Sequence, residues 1–240
     1  MMRLGDGSDI APGLLVAPGV EIPDDAEIDP YVTIYGGVVL GARIRLGQGC
    51  VIGRPQRIDA HSRSPRQSSA GPTLIGADCL IGSGATVVAG AQVGAGSAIA
   101  DLVLVRETAV LGDRVVVGRG SIVSHTTQIG AGTRIQAATI VGPRTSLAGD
   151  VMVGPQVVFI GDPTLGRSTP EIASAGIRVG RGARICTGAI LSPPLEIGEQ
   201  AVIGAGSFVR ADVSARTVVA GSPARFLRDV RDDELLATSV

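Results

Sequence analysis

The sequence predicts an all-β chain wound as a parallel β-helix of about ten triangular coils, and three observations carry that expectation. First, an apolar residue recurs every six positions in three runs. They are Ile10 to Ile52, Ile75 to Phe159 and Val179 to Val209, and no hexad breaks the spacing within a run. Second, the chain holds 35 glycines in 240 residues, while aromatics make up only 2% and Trp is absent. A core of this size built from packed helices and sheets would use more large side chains. Third, the other hexad positions repeat their own chemistry. One residue after the apolar position is often Gly, as at Gly76 and Gly94. Three after it is frequently Gly or Asp, as at Gly84 and Asp150, types that tolerate the positive φ of a sharp corner. Four after it is a small or branched residue such as Ala85, Ser121 or Thr127. A period of six fits neither the 3.6 of a helix nor a solvated loop.

Each hexad is thus one strand and one corner, and three hexads close a coil of 18 residues, with about 4.8 Å between coils. The body is expected over residues 1–221, interrupted by loops at about 54–74 and 161–178. Residues 222–240 form a tail whose stretch from Phe226 to Leu236 reads as a short amphipathic helix capping the open end of the prism.

Net charge is −1, which points to neither nucleic acid nor an anionic membrane as partner. The three cysteines, Cys50, Cys79 and Cys186, show no metal or redox spacing, and no metal is expected. The N-terminus lacks the layout of a signal peptide, so a cytoplasmic setting is expected.

Phase turns the repeat into a map. With Ile75 on face A, Ile81 on B and Val87 on C, face C continues through Val105, Val123, Val141 and Phe159. If the first loop replaces part of one corner, Ile52 also falls on C, and both loops leave the prism along one edge. Insertions in repeat proteins often gather on the binding face. Glu107 and His125 each follow a face-C residue by two positions and lie 18 residues apart, so they stack about 5 Å apart between Cα atoms. Asp162 follows Phe159 two coils further on. A carboxylate beside an imidazole favours its protonated form and can fix which ring nitrogen is free, making His125 and Glu107 the candidate acid–base pair. The alternative is an ordinary surface contact worth under ~1 kcal/mol. His61 lies in the Ser- and Arg-rich first loop, where a solvated residue is the plainer reading.

The chain from Val202 to Val213, followed by Val218-Val-Ala-Gly-Ser-Pro-Ala-Arg225, resembles the closing coils of hexapeptide-repeat acyltransferases. Ala100 to Thr108, Val117 to Ser121, Phe159 to Asp162 and Ile52-Gly-Arg-Pro are similar to the sugar-modifying branch of that family. The resemblance implies a left-handed helix, a homotrimer with sites in the grooves between prisms, and an acyl-CoA, acetyl-CoA above all, as co-substrate. It places Ala205 and Ser207 along the pantetheine, Arg210 and Arg225 at the coenzyme phosphates, and Arg106, Gly161 and Asp162 against a small-molecule acceptor such as an aminosugar nucleotide. Arg225 could equally be a surface charge. Two departures stand out: Gly161 replaces the Asn and Ile160 a Thr of that branch.

The implied reaction is direct acyl transfer to an amine or hydroxyl, with His125 as general base and Glu107 orienting it. A zinc hydrolyase on such a prism needs three imidazoles, and the chain has two histidines. The competing class is a non-catalytic β-helix scaffold, which coenzyme A binding would separate from an enzyme.

Overall fold

A computed structural model of the chain describes residues 11–57, 71–167 and 176–236. His61 and the first hexad residue, Ile10, lie outside the described residues. Three parallel sheets of ten, eight and eleven strands enclose one core, the eleventh strand of the last being antiparallel. Most strands are two residues long, one facing out and one in. The 18-residue coil expected from the hexads is seen on face C: Leu104–Val105 pairs with Ile122–Val123, which pairs in turn with Ile140–Val141.

The inward residue of each hexad forms the core. From Ile75 to Phe159, none of these residues is more than 2% exposed. The small residues four positions later are buried as well, and their hydroxyls do structural duty. Ser97, Ser121, Thr133 and Thr139 each donate to the carbonyl 15 residues ahead, at 2.9–3.1 Å. A buried hydroxyl needs such a partner, because an unpaired one costs about 1–3 kcal/mol.

Corner geometry is more demanding than the Gly and Asp pattern suggested. Three residues after the core position φ is positive at most corners and not for Gly and Asp alone, as at Leu102, Thr108, Arg114, Thr126 and Arg144. For β-branched Thr108 and Thr126, at φ 56° and 54°, this is a strained region, held only because the coils above and below fix the corner.

Both excursions leave after face C, as the phase required. Ile52 stacks on Val87 and Phe159 on Leu191, so the ladder of face C continues across each gap. Chain that returns from them re-enters on face A, at Thr73–Ile75 and Ile177–Val179.

The tail corrects one expectation. Phe226 does not begin a helix: Ala224–Asp229 is a strand, antiparallel to Thr217–Gly221, and among the described residues of the tail only Asp232–Glu234 forms a single 3₁₀ turn. The physical reason is the sheet edge. Thr217–Gly221 is the last parallel strand of face B, and its outer backbone groups need partners. The turn at Gly221-Ser-Pro-Ala brings the following chain back to supply them. The new edge is protected by charge, with Arg228 clamping Glu234 at 2.7 and 2.9 Å.

Candidate functional site

The edge between faces C and A gathers the titratable side chains that the phase put there. Residues 106–108, 124–126, 142–144 and 160–162 form successive steps of it. Glu107 is 2% exposed, and its carboxylate is fully engaged. It accepts from Arg106 Nη2 at 2.6 Å and Nε at 3.2 Å, and from Gln56 Nε2 at 2.6 Å. Gln56 belongs to the first excursion, so this bond ties that segment to the edge 51 residues later.

His125, one coil on, is 6% exposed. Its Nδ1 lies 3.3 Å from Thr126 Oγ1, and that hydroxyl donates to the His125 carbonyl at 2.7 Å. A hydroxyl whose proton is committed to a carbonyl can only accept from the ring, an arrangement that favours the Nδ1–H tautomer with the lone pair on Nε2. Thr126 is the residue within hydrogen-bond reach of Nδ1. Glu107 does raise the proton affinity of the ring, as expected, but the net direction is downward. Burial pushes the imidazole below its ordinary value, and the Arg106 and Arg144 guanidiniums push the same way. Glu107 opposes them and loses, since Arg106 is paired to it and cancels much of its field.

Asp162 is engaged within the second excursion: it accepts from Thr164 N and Oγ1 at 2.8 and 2.7 Å and from Gly166 N at 2.6 Å. It shapes the departing chain as an Asx turn does. Gly161 has a steric cause. A Cβ there would stand 2.7 Å from Pro143 Cδ on the coil below, so the stack admits no Asn at this step.

At the C-terminal end, Arg210 and Arg225 line one cavity of about 370 Å³ between the last coil and the hairpin, together with Asp212, Thr217 and Phe226. Arg210 follows Val209 on face C, four coils beyond His125, or about 19 Å along the axis. Ala205 is exposed at a neighbouring corner. Ser207 is fully buried, and its hydroxyl accepts from the Gly221 N–H at 3.2 Å, so its side chain anchors the hairpin. The sequence reading missed Gln56, Thr126 and Arg144. Arg144 was within reach of it, three residues after Val141 on the same edge; Gln56 lies off the repeat and carried no signal.

Among the described residues, no group of three or more His, Cys, Asp or Glu gathers as a metal site. No helix among them is long and apolar enough to cross a membrane.

Residues 19–54 match the family described as bacterial transferase hexapeptide (six repeats), and residues 72–100 the hexapeptide repeat of succinyl-transferase. The chain is 36% identical over 66 residues to the galactoside O-acetyltransferase of Escherichia coli K12, covering 28% of this chain and 32% of that one. It is 42% identical over 62 residues to the carnitine operon protein CaiE of Salmonella agona, covering 25% and 31%. The chain thus spans less than a third of the length of these curated relatives. In fold it is similar to a UDP-N-acetylglucosamine acyltransferase from Bacteroides fragilis, with a TM-score of 0.64 over 91% of this chain and 74% of that one. At 13% identity that likeness is one of architecture. The similarity in sequence to hexapeptide repeats of transferases thus lies at residues 19–54 and 72–100.

Proposed function

We propose that the chain is an acyl-CoA-dependent acyltransferase that moves an acetyl group to an amine or hydroxyl of a small acceptor, such as an aminosugar nucleotide. The observation that carries this reading is a buried His125, its proton affinity lowered by that burial and its Nδ1 3.3 Å from the Thr126 hydroxyl, on the one edge from which both excursions leave. The acceptor lone pair attacks the thioester carbonyl carbon while Nε2 takes the acceptor proton. The tetrahedral intermediate collapses, the C–S bond breaks, and the imidazolium returns that proton to the departing thiolate. General-base help of this kind contributes ~10²–10⁴ in rate. Glu107 acts on the ring through its charge and through its hold on Arg106, and Thr126 positions it.

Arg210 and Arg225, converging at the far end of the prism, suit the phosphates of coenzyme A, since guanidiniums match phosphate oxygens with several donors. Their distance from His125 fits a co-substrate with a long thin arm between phosphates and thioester. The assembly proposed is a homotrimer, and face C supports it. The outward residues of its ten strands are Leu15, Thr33, Val51, Thr86, Leu104, Ile122, Ile140, Val158, Ile190 and Phe208, with no charge among them. An uncharged apolar stripe of that length fits a contact surface, and the His125 edge borders it. The three free cysteines are compatible with a reducing, cytoplasmic compartment.

Calorimetry with coenzyme A and thiol release from acetyl-CoA over a panel of aminosugar nucleotides and hydroxylated small molecules test the reading. Binding together with acceptor-dependent thiol release is expected. Failure to bind coenzyme A would contradict it and leave a scaffold.

A further inference from the structure

The hydroxyl ladder inside the prism has one broken rung, and it lies beside His125. Thr127, Thr133 and Thr139 all donate to the carbonyl 15 residues ahead. Thr145 occupies the same hexad position, is 1% exposed, and its Oγ1 has no partner. Its counterpart carbonyl belongs to Ile160, where the chain leaves the coil for the second excursion. The neighbouring Arg144 Nε is likewise buried without a partner, while its Nη2 reaches the Gly161 carbonyl only at 3.5 Å. These are the only two such side-chain atoms among the described residues.

Both residues line one recess of about 340 Å³ on the C–A edge, completed by Thr126, Gln128, Ser146, Gly176 and Arg178. Gln128, Ser146 and Arg178 are successive outward residues of face A, and the short Ser146 side chain between two long ones makes the hollow. Gly176 closes one side, packed so tightly on Arg144 that a Cβ would fall 2.2 Å from the Arg144 carbonyl oxygen. Arg178 pairs with Glu196 at 3.1 Å, but both side chains are largely exposed, so that pair is weak and leaves further guanidinium N–H groups. Among the described residues Arg144 forms no ion pair.

We propose that this recess binds a phosphoryl group of the acceptor, with the Arg144 and Arg178 guanidiniums and the Thr145 hydroxyl as donors. Two cations and neutral donors around a small hollow suit a dianionic oxygen cluster, and buried donors without acceptors are what such a ligand satisfies. Because Thr126 both lines the recess and holds His125, a group bound there would sit one residue from the proposed base. The inference rests on the acyl-transfer reading for the word acceptor; the anion site itself does not.

The test is calorimetric titration of the full chain with inorganic phosphate, in the absence of any acyl donor, so that its result is separable from that of the activity assay. Saturable binding is expected, weakened at least fivefold in Arg144→Gln, Arg178→Gln and Thr145→Val, each checked by circular dichroism. Arg178 lies on the exposed face, so its variant keeps the test open if the others misfold. Arg134→Gln, on face B, is expected to leave the affinity unchanged. Absence of phosphate binding, equal affinity in Arg178→Gln, or acetate binding as tightly as phosphate would each overturn the assignment.

Discussion

Two edges of the same prism use charge in opposite ways. On the edge between faces A and B, carboxylates and guanidiniums are exposed and serve the coil itself. Asp25 and Asp113 accept backbone N–H groups of Arg43 and Ala95 at 2.9 Å, while Arg43 pairs with Asp78 and Arg181 with Asp150. Those side chains are 42–61% exposed, where ion pairs contribute little. On the edge between faces C and A, Glu107 and His125 are withdrawn from water and the ring's proton affinity is lowered. The corners are the same hexad corners. What differs is that the chain leaves the second edge twice, and the Gln56 contact on Glu107 shows one excursion covering it. Burial, not residue type, distinguishes the two edges.

The largest effect that separates the two edges is expected from His125→Ala, which should lower turnover by ~10²–10⁴ at saturating acceptor. Asp78→Asn on the other edge should leave turnover unchanged in the same assay. Next, Thr126→Val keeps the β-branched shape but removes the acceptor for Nδ1–H. Turnover is expected to fall about tenfold, the equivalent of ~1.4 kcal/mol, without loss of coenzyme A affinity.

Acid should discriminate as well. A ring whose proton affinity is depressed stays neutral to lower pH, so the acid limb of kcat/KM is expected below the ordinary value of 6.5. A limb above 6.5 would mean that Glu107 dominates after all. In stability, Gly161→Ala forces a contact on Pro143 and is expected to cost about 1–3 kcal/mol in denaturant unfolding. The smallest effect belongs to Asp78→Asn, whose denaturant midpoint is expected to match that of the parent chain.

The prism was legible because one residue type at a fixed period decides both burial and stacking; Ile75 through Phe159 needed nothing else. The shared edge of the two excursions followed from counting phase, since Ile52 and Phe159 had to re-enter the same ladder. Legibility ended where partners lie off the period. Gln56 reaches Glu107 from outside the repeat, and the net field on His125 depends on how Arg106 divides its charge between the two residues. Ser207 was readable in principle: it stands four after Ile203, the position that buries Ser121 and Thr127. The tail misled because a short stretch of mixed polarity fits a helix as well as an edge strand, and the unpaired backbone of Thr217–Gly221 decided between them.

The central claim is that His125 is a neutral imidazole with its lone pair on Nε2. Nitrogen-15 NMR titration of the ring, assigned by the signal that His125→Ala removes, tests it most directly. The account predicts an Nδ1–H tautomer and a midpoint below 6.5. An Nε2–H tautomer, or a midpoint above 6.5, would contradict it.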